Sequence, residues 1–296
     1  MSKMNQDEEP PFKEPVGKDG VTSKFPNFNQ PDGPRVTAGG INWHPTPLDQ
    51  IPATTKLIVV CIEGVHGVGK TTICRLLRSY GFNVRREIFV EKVADSPLPP
   101  GSFTQEISWI TSWCDWITSF YRDHVANEDS SGGVKILFSD RCPLTPPIYA
   151  TSHNALLEMV ARTAFSDLEE FLPISIVPVF IQLDLFLVYP RIVKRAQAEP
   201  IREKFNELLP EHLERVDARY KSSYRDLFSF ALFANNAFPD GQPEAEHGSI
   251  VASDIISILN SVKTIDIDWE GHVLPKPRSR FSEDPSSTAS AKTEEP

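Results

Sequence analysis

The sequence is poor in cysteine, and its few cysteines show no paired spacing. Four occur among 296 residues: Cys61, Cys74, Cys114 and Cys142. Their positions predict neither a disulfide framework nor a zinc site, and they fit a reducing compartment. The chain also lacks an apolar run that could cross a bilayer, and its acidic N-terminus lacks the apolar segment of a secretory signal. We therefore expect an intracellular protein without a membrane partner.

Positive charge is also in short supply. Lysine and arginine together number 30 against 40 aspartates and glutamates, which gives a net charge of -10. Broad nucleic-acid binding needs a basic face, so this balance argues against a nucleic-acid partner. This net charge remains compatible with a local basic pocket for a small phosphorylated substrate.

Both ends of the chain lack periodic apolar spacing. Residues 1–52 hold nine prolines and many acidic and amide residues, and residues 273–296 are polar and low in complexity. We interpret both as disordered tails around one domain at 53–272. Within the first tail, the stretch around Trp43 is the part that could dock on this domain.

One short stretch combines an apolar run, a glycine-rich loop and a helical pattern: "KLIVVCIEGVHGVGKTTICRLL", residues 56–77. From Gly64 to Thr71 the spacing fits G-x-x-x-x-G-K-[ST], in which backbone N–H groups surround a phosphate, the lysine reaches the outer phosphates and the hydroxyl binds Mg²⁺. The residues expected to bind ATP here are Gly64, Val65, His66, Gly67, Val68, Gly69, Lys70, Thr71 and Thr72. The pattern predicts a site for ATP and Mg²⁺.

Further segments predict an α/β fold of the P-loop type. Short apolar strands are predicted at 56–62, 82–93, 134–140, 174–184 and 262–268, with a long apolar helix around 107–121 and a helical segment at 213–232. Together they predict a three-layer sandwich, a five-stranded parallel sheet with helices on both faces and a helical lid.

Charged residues follow two of the predicted strands. Asp140 and Arg141 end the third strand, where the carboxyl edge of a parallel sheet forms a ligand crevice. There the carboxylate is placed to hold Mg²⁺ through water, and the arginine to stabilise the transferring phosphoryl group. The basic run at 191–204 predicts a lid over the triphosphate.

Three motifs in this order resemble the deoxyribonucleoside kinase family: "IEGVHGVGKTT", "SDRCP" and "RIVKRAQAE". The resemblance covers about residues 56–268. His66 in the loop and the run from Asp140 to Pro143 are most similar to the herpesvirus-type thymidine kinases. The resemblance implies a parallel sheet between helices, a deoxynucleoside substrate and a homodimer, in the cytoplasm or also the nucleus, and in a host cell if the chain is viral.

The resemblance also implies roles for single residues. Glu87 matches the catalytic base for the sugar 5′-hydroxyl, beside the catalytic Lys70 and Arg141. Gln105 matches the glutamine that reads the nucleobase. The remaining assignments are Arg191 and Arg195 on the phosphates, and Glu199 and Tyr149 at the substrate.

The sequence departs from the family pattern in three places. Glu87 is followed by Ile88 instead of proline, and Glu91 competes for the role of base. Gln197 replaces the second lid arginine. The lid glutamate expected at the sugar falls at Pro200, with Glu199 one residue early.

Two other functions are open at this point. A thymidylate kinase shares the loop and lid but needs cations for the acceptor phosphate, and Arg85 and Arg86 could supply them. A nucleotide-binding scaffold without transfer is the less favoured reading. A switch GTPase is disfavoured, because an N-K-x-D run is missing and the D-x-x-G match at 268–271 follows the last predicted strand.

Overall fold

The structure is a computed structural model that describes residues 43–87, 97–99, 101–127, 133–200, 202, 206–234 and 244–262, side chains of 244–247 excepted. Its strands are β1 (Leu57–Glu63), β2 (Asn83–Arg85), β3 (Lys135–Asp140), β4 (Ile174–Gln182) and β5 (Phe230–Phe233). Its α-helices are α1 (Lys70–Ser79), α2 (Phe103–His124), α3 (Thr145–Tyr149), α4 (Asn154–Phe171), α5 (Leu185–Ala198), α6 (Pro210–Leu227) and α7 (Glu244–Asn260). A 3-10 turn spans Leu48–Gln50.

The five strands form one parallel sheet in the order β2-β3-β1-β4-β5. All seven residues of β1 are buried, as expected for a central parallel strand that is covered on both faces. In the pairing register Ile62 lies beside Asp140, and Glu63 lies beside Phe180. The acidic ends of β1 and β3 therefore meet at the carboxyl edge of the sheet.

Helices cover the sheet and complete the three layers. Helix α1 packs against α7, whereas α4 packs against α2, α3 and β4. The amphipathic spacing of α2 buries Trp109 and Trp113, as core packing predicts, but leaves Trp116 37% exposed. The expected α/β fold is confirmed. None of the helices formed by the described residues has both the length and the apolar character of a membrane span.

The order of the last elements differs from the sequence prediction. The fifth strand is Phe230–Phe233, which overlaps the end of the segment 213–232 that was predicted to be helical, and α6 ends at Leu227. A short apolar run fits a strand or a buried helix equally well by periodicity, and here pairing with β4 decides for the strand. The predicted strand at 262–268 lies, apart from Val262, outside the described residues, as does the predicted second strand beyond Glu87.

The described part of the chain begins before the predicted domain boundary. Trp43 is 6% exposed, and its indole Nε1 donates to Glu169 Oε2 at 2.7 Å on α4. Its ring lies 4.7 Å from that of Phe165, and its carbonyl accepts a hydrogen bond from Arg162 Nη1. The stretch around Trp43 thus docks on α4. The boundaries 53 and 272 stay predictions.

Candidate active site

The glycine-rich loop between β1 and α1 is enclosed by β4 and α5. Gly64 and Gly67 have φ angles of 145° and 76°, which side chains rarely adopt. A Cβ on Gly64 would lie 2.5 Å from the Ile181 carbonyl oxygen, and one on Gly67 would lie 2.9 Å from Ile192 Cγ1. Glycine is therefore required both by the backbone and by the close approach of the two neighbouring elements.

Lys70 is buried at the start of α1 and points back into the loop. Its Nζ donates to the carbonyl oxygens of Gly64 at 2.7 Å and Val65 at 2.8 Å. Burial, and then the Arg141 guanidinium, lower the pKa of Lys70 to about 7. An ammonium group in this position gains from a negatively charged ligand in the loop, because the phosphate would offset both effects.

Two further loop residues expected to bind ATP have side chains in the core. Val65 and Val68 are buried, so they could bind a phosphate through their backbone N–H groups but not through their side chains. Thr72 lines the cleft described below.

Thr71 and Asp140 form a hydroxyl–carboxylate pair beside the loop. Thr71 Oγ1 donates to Asp140 Oδ2 at 2.9 Å, while the buried Asp140 Oδ1 has no hydrogen-bond partner. Burial, and then Glu87, raise the pKa of Asp140. A cation would supply the missing partner, and hard oxygen ligands suit Mg²⁺. Since the described residues contain no group of three or more His, Cys, Asp or Glu side chains suited to a metal, water and phosphate would complete its coordination.

Arg141 follows Asp140 in the left-handed region, with φ 72°, and its side chain is buried among three partners. Its Nε lies 3.4 Å from Glu87 Oε2, and its Nη2 lies 3.2 Å from His66 Nδ1. The guanidinium carbon lies 5.0 Å from the centre of the Tyr149 ring. Nε and Nη1 make no hydrogen bond, which leaves two donors for a ligand.

The end of the predicted lid is held by ion pairs. Arg191 Nη1 donates to the Gly67 carbonyl at 3.5 Å. Glu199 is bound by Arg202 Nε at 2.6 Å and lies 3.5 Å from Arg195 Nε. Glu199, expected at the substrate sugar, is thus engaged by lid arginines.

Two clefts meet at this site. The first, of about 370 Å³, is lined by the cations Lys70, Arg75, Arg141, Arg191, Lys194 and Arg195, with Glu87 and Glu199. The second, of about 580 Å³, is lined by Arg75, Arg78, Arg86, Arg195 and Arg202, with Asp140, Glu87 and Glu199. Glu87 and Thr71 border both. A chain of net charge -10 therefore concentrates positive charge where a phosphate would bind.

The expected substrate residues Gln105 and Tyr149 line neither of these clefts. Gln105 is 7% exposed, and neither its amide oxygen nor its amide nitrogen has a hydrogen-bond partner. The Tyr149 hydroxyl donates to the Gly64 carbonyl at 3.2 Å. Arg85, one of the two arginines considered for an acceptor phosphate, is buried between Trp109 and Trp116 instead.

Sequence reasoning missed two carboxylates of the site. Glu63 is fully buried and accepts hydrogen bonds of 2.7 Å each from Cys142 N, Thr145 Oγ1 and Tyr220 Oη. It thereby fixes the turn that carries Arg141. The position of Glu63 at the end of an apolar strand could have indicated this role, because a buried carboxylate needs hydrogen-bond partners. Glu207, which pairs with Arg202 at 3.0 Å, gave no such signal.

Comparisons with known proteins give distant similarities. No protein-family model matches the chain, and no curated protein matches it. Two structures of deoxyadenosine kinase from M. mycoides are similar, one with the products dCMP and a flexible dCDP (17% identity, TM-score 0.40, covering 67% of this chain and 99% of the other). The second, with dATP bound, has 16% identity and a TM-score of 0.41, covering 69% and 99%.

A third similar structure is the YorR protein from Bacillus subtilis in complex with phosphorylated GDP. It has 12% identity and a TM-score of 0.38, covering 68% of this chain and 95% of the other. Similarities this weak establish neither a family nor a substrate for this chain, and its function has to be inferred from its own site.

Proposed function

We propose that the chain is an ATP- and Mg²⁺-dependent kinase that transfers the γ-phosphoryl group to the 5′-hydroxyl of a deoxynucleoside of the thymidine type. The observation that carries the proposal is the meeting of Lys70, the Thr71–Asp140 pair and the Arg141–Glu87 pair at two adjoining clefts that share Thr71 and Glu87. Phosphoryl transfer needs positioning and charge stabilisation more than covalent chemistry from the protein, and these groups suit both needs.

On the donor side, the loop from Gly64 to Thr72 would hold the phosphates through backbone N–H groups and the N-terminus of α1. Lys70 would neutralise charge on the outer phosphates, and Thr71 and Asp140 would hold Mg²⁺, which when bound neutralises phosphate charge. Arg141 offers a planar set of donors to the transferring group. Arg191 and Arg195 on α5 would bind the phosphates from the lid side.

On the acceptor side, Glu87 would accept the proton of the 5′-hydroxyl. Its position at the border of the two clefts supports this role, because the attacking oxygen must lie between donor and acceptor. Gln105 would pair with the base through an amide that has no internal partner. Tyr149 and Glu199 complete the proposed substrate set.

A second candidate is a nucleoside monophosphate kinase of the thymidylate type. The second cleft favours it, because five arginines border a space next to Glu87 and Asp140. An acceptor phosphate would suit this concentration of guanidinium groups better than a neutral nucleoside would, because arginine donates in pairs to phosphate oxygens. Arg86 belongs to this cleft, so of the two arginines considered it is the candidate contact.

One assay separates these functions. Transfer from radiolabelled ATP is measured with Mg²⁺ against each deoxynucleoside and each deoxynucleoside monophosphate, with Lys70→Ala as the matched inactive control. Labelled monophosphates support the first proposal, and labelled diphosphates support the second. Binding of ATP without any transfer would instead indicate a scaffold.

We also infer that the kinase is a homodimer in an intracellular compartment, and that it binds neither nucleic acid nor membrane. The apolar residues Leu156 and Met159, which are exposed near the start of α4, are candidate dimer contacts. Sedimentation of the wild type and of Met159→Glu tests this, since a buried charge would shift a dimer toward monomer.

A further inference from the structure

One ring nitrogen of His66, Nδ1, lies near both a hydrogen-bond donor and a hydrogen-bond acceptor. His66 Nδ1 is 3.2 Å from Arg141 Nη2, which can only donate a hydrogen bond. The same Nδ1 is 3.3 Å from Glu207 Oε1, which as a carboxylate can only accept one. Nδ1 can satisfy one of these partners at a time.

His66 carries one ring proton here. Burial, and then Arg141 and Lys70, lower the pKa of His66 well below its usual value, so the imidazole is neutral. In a neutral ring Nδ1 either accepts, with the proton on Nε2, or donates, with the proton on Nδ1. The imidazole and the Tyr149 ring pack edge to face with centroids 4.6 Å apart, a contact that restricts rotation of the His66 ring.

On one side, His66 holds the arginine of the phosphate cleft. Within the described residues, the Arg141 guanidinium hydrogen-bonds to His66 Nδ1 through Nη2, while its Nε and Nη1 make no hydrogen bond. A phosphate that pairs two oxygens with Nη2 and either Nε or Nη1 would turn the guanidinium toward itself and compete with His66 for an Nη2 hydrogen, because arginine donates in pairs to two oxygens.

On the other side, His66 faces the segment that follows the lid helix. Glu207 is 3% exposed and lies between α5 and α6, and its Oε1 also accepts from Arg202 Nη1 at 3.0 Å. Arg202 continues to Glu199 at 2.6 Å, which lies just beyond the end of α5. A chain of polar contacts therefore runs from Arg141 through His66 to the lid.

We propose that His66 is a positioning residue that couples the engagement of Arg141 by the donor's terminal phosphate to the ordering of the lid. With the cleft free, Nδ1 accepts from Arg141. When a phosphate takes Nη2, the ring proton moves from Nε2 to Nδ1 by exchange with water, and Nδ1–H donates to Glu207. The total charge of the ring does not change.

The coupling, which rests on the proposed ATP-dependent transfer, gives the lid a way to distinguish ATP from ADP. ADP lacks the terminal phosphate that would draw Arg141 away from His66. ATP binding should then order α5 and the segment around Glu207 more strongly than ADP binding does, because a second contact forms only in the ATP complex.

The test compares His66→Ala, His66→Asn and His66→Gln in the full chain, with the exposed His124→Ala as a control. Asparagine carries its amide on Cγ, where imidazole carries Nδ1, and an amide can accept or donate there; glutamine carries it one bond further out. Affinities for Mg²⁺-bound ADP and a non-hydrolysable ATP analogue are measured by calorimetry. Lid ordering is measured by amide hydrogen exchange over α5 and residues 206–209.

In the wild type and in His124→Ala, the analogue should bind more tightly than ADP and protect α5 more strongly. His66→Ala and His66→Gln should lower the ratio of analogue affinity to ADP affinity about fivefold or more, and His66→Asn should keep most of this preference. Glu207→Gln should also lower the preference for the analogue. Adding His66→Ala to Glu207→Gln should lower this preference little further, because both changes break the same contact between His66 and Glu207.

Two results would overturn the coupling alone. One is an unchanged analogue preference in His66→Ala when the wild type binds both nucleotides. The other is a loss of analogue preference in His66→Asn equal to that in His66→Gln, which would assign the effect to packing. This comparison remains decisive if the alanine variant fails to fold. A wild type that binds neither nucleotide would reject the proposed function and the coupling with it.

Discussion

At the scale of single residues, some buried charges of the site are fully paired, whereas others keep atoms without a hydrogen-bond partner. Glu63 has three hydrogen-bond donors, and Arg202 has two carboxylates. In contrast, Asp140 Oδ1 and two nitrogens of Arg141 have no hydrogen-bond partner. Because an unpaired buried polar group costs free energy, the proposed metal ion and phosphate would stabilise the site by supplying partners to these atoms.

The role of Glu87 can be tested by removing its ability to accept a proton. Glu87→Gln keeps the size of the side chain and a hydrogen-bonding oxygen near Arg141. Turnover should fall by about two to four orders of magnitude, with ATP affinity nearly unchanged. Single-turnover transfer and ATP titration measure the two effects.

Glu91→Gln is the matched comparison, since Glu91 is the competing base and lies outside the described residues. It should keep near-normal turnover. If Glu91→Gln is inactive and Glu87→Gln is active, the base is Glu91 and Glu87 only holds Arg141. If both variants are active, the reaction uses no glutamate base from this segment.

The pKa of Lys70 predicts that ATP binding takes up protons. Because its folded-state value is lowered to about 7, Lys70 is mostly neutral at pH 8 and mostly charged at pH 6. A bound triphosphate favours the charged form, so binding should take up close to one proton at pH 8 and much less at pH 6, on the order of 0.1. Calorimetry in two buffers of different ionisation enthalpy measures this uptake.

Lys70→Arg is the control for the proton uptake, because arginine stays charged at both pH values. It should bind ATP with little uptake at pH 8. An uptake equal to that of the wild type would place the titrating group elsewhere, for instance on the nucleotide itself.

The sequence was informative about residue types and silent about their contacts. Spacing alone picked Lys70 and Thr71, because a phosphate loop needs them at fixed positions. The pairing of Glu207 with Arg202 and His66 depends on how the segment after α5 folds back onto the loop, and local periodicity carries no signal for that. Gln105 was picked by resemblance, and its contact with a base stays a prediction.

At the scale of elements, strands buried on both faces were the most predictable, and short amphipathic ones the least. β1 and β4 lie within about two residues of their predicted bounds, because continuous β-branched runs in a P-loop context have few alternatives. β5 has three half-buried residues and one exposed residue, and the apolar run that contains it follows closely after α6. Only its pairing with β4 distinguishes it from a further helical turn.

Helix α2 contains a buried carboxylate that predicts an unusual pH dependence of stability. Glu106 is 5% exposed, and burial raises its pKa to about 7. The native state therefore holds this proton up to higher pH than the unfolded chain does. The contribution of Glu106 to stability falls as pH rises from about 4.5 to 7, and above 7 it is a constant penalty.

Replacing Glu106 should remove that penalty. Glu106→Gln should raise the free energy of unfolding at pH 8 by about 1–3 kcal/mol and leave it nearly unchanged at pH 4.5. Urea unfolding at the two pH values measures both quantities. Asp115→Asn, an exposed carboxylate on the same helix, should change neither by more than about 0.5 kcal/mol. A loss of stability in Glu106→Gln at pH 8 would show that the ionised carboxylate has a partner.

At the scale of the whole molecule, the domain uses a segment that composition assigned to a tail. High proline content and low apolar periodicity predicted a boundary at 53. Both properties are averaged over many residues, so one docked residue hardly changes them. Trp43 and Ile51 are nevertheless buried, and Glu169 joins Trp43 to the backbone N–H of Ile176 on β4 at 2.7 Å. These contacts link the segment to both α4 and the sheet.

Two truncations test where the domain begins. Removal of residues 1–42 should leave the free energy of unfolding nearly unchanged, if that part is the disordered tail that its composition predicts. Removal of residues 1–52 deletes Trp43 and Ile51 and leaves Glu169 without its indole partner, so it should cost at least about 3 kcal/mol, the order found for a buried tryptophan cut to alanine. Trp43→Ala in the full chain should reproduce most of that loss, while Phe186→Ala, whose ring is 72% exposed, should lose little. Urea unfolding at one pH compares the four proteins with the wild type. If both truncations are as stable as the wild type, the boundary returns to 53. If both lose the same amount of stability, residues before Trp43 also support the fold.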